Sequence, residues 1–239
     1  MDQAMVELRG AFKQRTKPRT IGHCRICYEP SDIQKFLSLD PARMSENDFL
    51  PILWDGCRCF GRWKEIAYYI PWLLEVCPEP WLDDTDNFLS MLLRALEDTE
   101  APMDREQRHA IFRFVLAHTE DAMSDSEGDA SLYIDEALVF LGAFGESIAQ
   151  MFKDLGSSDD LRIRANYCLF IARQVLGLTT RPEMSDENQK AFDVLLEPSS
   201  ALAILMANVN TVSQIAPDEQ YNVEYAFDYL TSLENSAVN

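Results

Sequence analysis

The sequence predicts an all-α protein, an irregular multi-helix bundle of about ten helices with a small cysteine-rich segment near its N-terminus. Three observations point there. Apolar residues recur at the spacing of one helix face in most segments. The nine glycines and eleven prolines gather mainly between those segments, as short helix-to-helix connections require. No pair of runs with hairpin signals stands out, and no fixed-period repeat supports a solenoid. At 239 residues and 47% apolar content, the chain can bury a sizeable core as one large domain or two small ones.

Along the chain, Met5, Leu8 and Phe12 place a short amphipathic helix over 3–15, broken by Thr16–Thr20 with Pro18. A turn-like segment follows, G-H-C-R-I-C-Y-E-P. Ser31 is the expected cap of a helix through Ile33, Phe36 and Leu37, ended by Pro41. Ser45 opens the next helix, with Asp48 at the capping-box position, and Gly56 stops it after Phe49, Ile52, Leu53 and Trp54. Trp63–Cys77 is helical with a kink or break at Pro71. The tryptophans at 54, 63, 72 and 81 recur every nine residues, which turns a helix to its opposite face each time, so they form no stripe.

Pro78 and Pro80 mark the expected boundary between an N-terminal segment, 1–80, and an acidic helical domain, 81–239, unless the two form one continuous domain. Helices are expected over 83–98 (Phe88, Met91, Leu92, Leu96), starting at Asp83, and over 104–122 (Ile111, Phe112, Val115, Leu116). The loop Ser124–Asp129 is acidic. Helices then fall at 131–143, 146–155 and 159–176, separated by Gly145 and Gly156. After the polar break Thr179–Ser185, the last three lie at 186–196, 200–214 and 218–233.

Charge narrows the function classes. The net charge is −19, and it is uneven. Residues 1–64 carry eleven Lys/Arg against eight Asp/Glu, a balance of +3, whereas 65–239 carry ten against thirty-two, a balance of −22. Such a field repels nucleic-acid phosphates and anionic membranes and speeds encounter with a basic partner. The alternative is acidity that serves solubility alone. Met1–Lys17 lacks the pattern of a signal peptide and no apolar run approaches bilayer length, so a cytoplasmic location is expected. Thiols stay reduced there, and the six cysteines then read as packing residues or metal ligands.

The sharpest motif is Cys24-x2-Cys27-x29-Cys57-x-Cys59. Four thiolates can close a tetrahedral zinc shell, with His23 able to replace one of them. The competing reading is four reduced thiols acting as small hydrophobes. Cys77 and Cys168 sit among apolar residues and are expected in the core. So is His118, which projects beside Ile111 and Val115; it shares the helix 104–122 with His109, and neither reads as a catalyst. No nucleophile elbow, phosphate-binding loop or dinucleotide fingerprint occurs. The segment D-S-E-G-D fails as a calcium loop, because Met123 would stand at its first ligand position. On the last helix Tyr221, Tyr225 and Tyr229 share a face with Glu224 and Asp228 alongside. Val223, Phe227 and Leu230 form the expected core face. The tyrosines read equally as interface anchors and as packing against a neighbouring helix.

The order of Cys24 and Cys27, then Gly61, Trp63, Tyr68, Pro71, Leu73, Leu74 and Glu75, then Asp104, Glu106, Gln107 and Ala110, resembles an uncharacterised family of bacterial helical proteins. In that family a CxxC segment is similarly followed by an aromatic, Pro-containing helix. The resemblance covers roughly residues 21–175, and Cys57, Cys59 and the chain from about 185 depart from it. It implies a helical fold and a bacterial origin, with no activity attached.

The expected function is therefore a cytoplasmic binding protein and not an enzyme, foremost an immunity protein that neutralises a basic toxin domain. Its partner-binding residues would be Tyr221, Tyr225, Tyr229, Glu224 and Asp228. No cofactor is required, with zinc on the four cysteines as the one candidate. The alternatives are a zinc-stabilised adaptor and, last, a metal-dependent enzyme relying on Glu65 and His23.

Overall fold

The computed structural model describes residues 1–77, 87–126, 129–144, 147–179 and 184–237. The described residues are all-α, with thirteen α-helical segments, three 3-10 turns and no strand. The chain divides into two compact units, Met1–Phe114 and Val115–Asn239, the division falling inside one helix. Pro78 and Pro80 of the expected boundary, the helix start at Asp83, the break at Gly145, Trp81 of the tryptophan series and Gly128 of the acidic loop lie outside the described residues.

The first unit begins with α1 (Asp2–Phe12), which buries Ala4, Leu8, Ala11 and Phe12 and packs on α5. Helix α2 (Pro30–Ser38) starts one residue before the expected Ser31 cap. Pro30 supplies a preset φ at the first position, and the Glu29 N–H donates to Asp32 Oδ2 at 2.9 Å. Helix α3 (Glu46–Asp55) keeps the expected capping box, the Ser45 N–H and Oγ both donating to Asp48 Oδ2 at 2.8 and 2.7 Å. Its Gly56 stop is also a packing requirement. A Cβ there would sit 2.5 Å from the Ile52 carbonyl oxygen and 2.7 Å from Met91 Sδ on α6 (Asn87–Glu97).

The expected 63–77 helix is three pieces: α4 (Trp63–Ile66), a 3-10 turn (Ala67–Tyr69) and α5 (Ile70–Val76). Pro71 falls in the first turn of α5, where a missing N–H costs nothing, so the chain breaks before the proline rather than at it. Trp63, Tyr69, Leu73 and Leu74 are fully buried. Helix α6 buries Phe88, Met91, Leu92 and Ala95, while Leu96 is only half-buried. Helix α7 (Arg105–Asp125) is opened by Asp104, whose Oδ1 accepts from the Gln107 N–H at 2.8 Å.

The second unit is built on α10 (Leu161–Val175), capped by Asp160, whose Oδ1 accepts from the Arg162 N–H at 2.7 Å. Around it pack α8 (Leu132–Phe144), α9 (Ile148–Gly156), α11 (Asp186–Leu196), α12 (Pro198–Ile215) and α13 (Gln220–Ala237). Phe152, Phe170 and Phe192 meet with ring centroids 6.0–6.2 Å apart. Two buried asparagines satisfy backbone where helices start. Asn166 Oδ1 accepts from the Ala130 N–H at 2.6 Å, and Asn188 Oδ1 from the Ile148 N–H at 3.2 Å.

Arg173, mostly buried, pairs with Asp129, donates to Ser131 Oγ at 3.1 Å and lies 3.8 Å from Glu219. Among the described residues no single helix is long and apolar enough to cross a membrane. The bent pair Asp186–Leu195 and Pro198–Ile215 passes by length and composition together, but Phe192, Leu205 and Val212 on it are spent in the core.

Candidate functional site

Among the described residues two places are candidate sites, one in each unit. In the second unit, α12 and α13 enclose a groove of about 480 Å³ lined by Leu205, Met206, Val209, Val223, Phe227, Glu224 and Asp228. At about 100° per residue, the α13 surface reads in strips. Asn222, Val223, Ala226 and Leu230 are buried against the unit. Phe227, expected in that core, is half-buried and forms the groove floor. Glu224 and Asp228 stand as the rim, and Tyr221, Tyr225 and Tyr229 form a ridge beyond them, 63%, 68% and 47% exposed. The Gln220 side-chain amide donates to Glu224 Oε1 at 2.7 Å and steadies the rim. Across the groove Met206 is 66% exposed.

The charge here is one-sided. Residues 198–237 hold five carboxylates and no lysine, arginine or histidine. The sequence reading singled out the three tyrosines and both acids and placed a helix at 200–214, but gave that helix no part in the site. The available signal was Met206, apolar yet on the outer side of a helix whose core positions are Ala201, Leu205, Asn208 and Val212.

In the first unit the cysteine loop is held by backbone and aromatics. The Cys24 N–H donates to the Cys59 carbonyl at 2.9 Å and the Gly61 N–H to the Gly22 carbonyl at 2.6 Å, making an antiparallel bridge between His23 and Phe60. Phe60 is buried against Tyr28 and Phe36 with ring centroids 5.1 and 5.0 Å away. Glu65 is structural, its Oε2 accepting from the N–H groups of Gly22 and Arg62 at 3.1 and 2.9 Å. His23 has Nδ1 on the Ile21 carbonyl at 3.2 Å. The two residues reserved for an enzyme reading are thus engaged in holding the loop.

The sulfurs of Cys24, Cys27 and Cys59 lie within 4.8 Å of one another. Cys57 departs from the expected set of four. Its φ of +58° is left-handed, and burial together with Asp98 nearby pushes its thiol up to about 12. Its sulfur is not in the converging group of Cys24, Cys27 and Cys59. Backbone N–H groups of Ile26 and then Cys27 hold the Cys24 thiol below its ordinary value. Cys27, hydrogen-bonded to the Cys59 and Cys24 sulfurs, is pushed up to about 11.

Of the remaining sequence-selected residues, Cys168 is buried as expected, with its thiol raised by burial to about 12. Cys77 is only half-buried. His109 is exposed and stacked on Phe112, and His118 is half-buried, so the expected core histidine is a partly solvated one. No protein-family model, no curated protein and no solved structure matches this chain.

Proposed function

We propose that this chain is a binding protein for a basic protein partner, engaged through the α12–α13 face, with neutralisation of a bacterial toxin domain in the cytoplasm as its role. One observation carries the reading: an apolar groove rimmed by Glu224 and Asp228 beside three exposed tyrosines, on a stretch without one basic side chain. An apolar groove takes an apolar anchor, and the surrounding carboxylates select an anchor flanked by lysine or arginine. Toxins that act on nucleic acids or nucleotides need positive surface to hold phosphate, which makes them fitting occupants.

The field should make association fast and salt-sensitive, while the lifetime of the complex rests on a few buried anchors. Single reversals such as Glu224→Lys should leave protection intact, since exposed pairs contribute about 0–1 kcal/mol. Tyr225→Ala should weaken binding by about 2 kcal/mol or more. The test is co-expression with the product of any adjacent toxin-like gene. Survival of the cells and a complex in gel filtration support the reading; equal death with and without this chain, and no complex, overturn it.

A second reading has its own observation. Three converging thiols in the first unit favour an adaptor whose N-terminal segment is stabilised by a metal. Adaptor and immunity roles part on the same co-expression assay, since an adaptor gives no protection.

A further inference from the structure

We propose that Cys24, Cys27 and Cys59 form a three-thiolate zinc site, with the fourth position filled from outside this set and Cys57 kept as a structural thiol. The inference is independent of the α12–α13 reading. Zn–S bonds of about 2.3 Å in a tetrahedral shell put sulfurs roughly 3.8 Å apart. Three sulfurs already within 4.8 Å of one another need only small side-chain rotations to reach that spacing.

Hydrogen bonds hold the backbone that presents them. Cys27 and Tyr28 N–H groups both donate to the Cys24 carbonyl, at 3.1 and 3.0 Å, and close the CxxC turn. Cys59 is delivered by another turn in which the N–H groups of Cys59 and Phe60 both reach the Asp55 carbonyl at 2.9 Å. Asp55 in turn accepts from Tyr28 Oη at 2.7 Å, tying the two turns together.

Three converging sulfurs exceed the two that a disulfide joins, and a metal shell accommodates all three. Soft thiolate ligands select zinc among the abundant divalent ions, and each thiol that binds gives up its proton to solvent. Cys57 and His23 both lie outside the converging group, so the remaining coordination position is left to a ligand that joins it. Cys27 is exposed and borders a cavity of about 330 Å³ lined by Tyr28, Lys35, Phe36 and Asp48. That is the side from which water or an incoming ligand completes the shell.

The test uses the full chain, reduced and stripped with a chelator, titrated with Co²⁺ and then Zn²⁺. One equivalent of Co²⁺ should bind with sulfur-to-cobalt charge-transfer bands and the visible bands of a tetrahedral site, and Zn²⁺ should displace it. Outer-shell changes alone cost about 10–100-fold in affinity, so Cys27→Ser and Cys59→Ser should each cost at least that. Cys57→Ser should bind as the parent does, with the same charge-transfer intensity. Circular dichroism of Cys27→Ser, whose side chain is exposed, separates loss of a ligand from loss of fold. Absence of stoichiometric binding by the parent overturns the proposal. So does a Cys57→Ser variant that weakens as much as Cys27→Ser, because the site would then be a four-cysteine shell.

Discussion

The two units bury their cores by different means. Helices wholly inside the first run from four to eleven residues, and those of the second from nine to eighteen. Helices of one to three turns are not stable by themselves, so the first unit depends on caps and on loop residues that reach the core. Glu29 with Asp32, Ser45 with Asp48 and Arg62 with Glu65 each satisfy a helix start, and Phe60 anchors the loop between α3 and α4. The second unit instead wraps one helix, α10, on which eight consecutive residues from Ala165 to Ala172 are buried.

Charge differs as well. Met1–Phe114 carries fifteen Lys/Arg against nineteen Asp/Glu, a net of −4, and Val115–Asn239 six against twenty-one, a net of −15. The irregular unit therefore holds the thiol cluster, where loops bring distant residues together. The regular unit holds an acidic face. Loops make point chemistry, and long helices make surfaces.

The comparison can be broken most forcefully at the two anchors. Phe170→Ala on α10 and Phe60→Ala in the cysteine loop should each cost about 3–5 kcal/mol in urea unfolding, because both rings are fully buried. Their local signatures should differ: amide exchange should rise around residues 21–61 for Phe60→Ala and along α10 for Phe170→Ala. A loss below about 1 kcal/mol at Phe60, close to the size of a surface change, would mean that the loop is not anchored as described.

A smaller effect is expected at the close approach of α3 and α6. Gly56→Ala should cost about 1–3 kcal/mol, since the added carbon meets a backbone oxygen that cannot rotate away. Unchanged thermal unfolding would contradict that packing.

The second unit has a weakness of its own in Asp135. Burial pushes its carboxyl from an ordinary 3.8 up to about 6, opposed by the Gln174 amide that donates to Oδ1 at 2.7 Å, while its Oδ2 is buried without a partner. A raised folded-state value means that the contribution to stability is complete below about pH 4 and is lost as pH rises through 6. With a partly exposed carboxyl, Asp135→Asn should stabilise the protein by about 1–2 kcal/mol at pH 7 and by little at pH 4. Chemical denaturation of both forms at the two pH values checks it; a gain that is larger at pH 4 would refute the sign. Tyr225→Ala, on an exposed ridge, should move stability by no more than about 0.5 kcal/mol.

Much of this architecture was legible in the sequence. The α3 start rested on S-E-N-D, and the structure has that capping box at Ser45 and Asp48. Helical periodicity placed Leu8, Phe12, Ile33, Phe36, Phe88 and Leu92 in the core, where they are. Errors came where a residue type does two jobs. Ser31 and Pro30 both favour a helix start, and the proline won because its φ is already set. Pro71 signalled a break without saying on which side, and a first-turn position needs no N–H.

The cysteine spacing offered four candidate ligands; the sulfurs that converge are those of Cys24, Cys27 and Cys59, and spacing does not encode the left-handed φ of Cys57. Phe227 shared a helical stripe with Val223 and Leu230, yet it lines a groove because α12 covers only part of that stripe. The groove needed two helices, and neither helix alone announces it.

The most direct measurement is the affinity of this chain for a basic toxin domain encoded beside it, by titration calorimetry at two salt concentrations. The account predicts a complex whose affinity falls as salt rises. It also predicts that a Met206→Ala, Tyr225→Ala double variant weakens the complex by about 2 kcal/mol or more, roughly 30-fold. Val6→Ala, an equally exposed apolar site in the first unit, should bind as the parent does. No complex with the parent chain, or a double variant that binds as tightly as it does, would contradict the claim that the α12–α13 face is the binding surface.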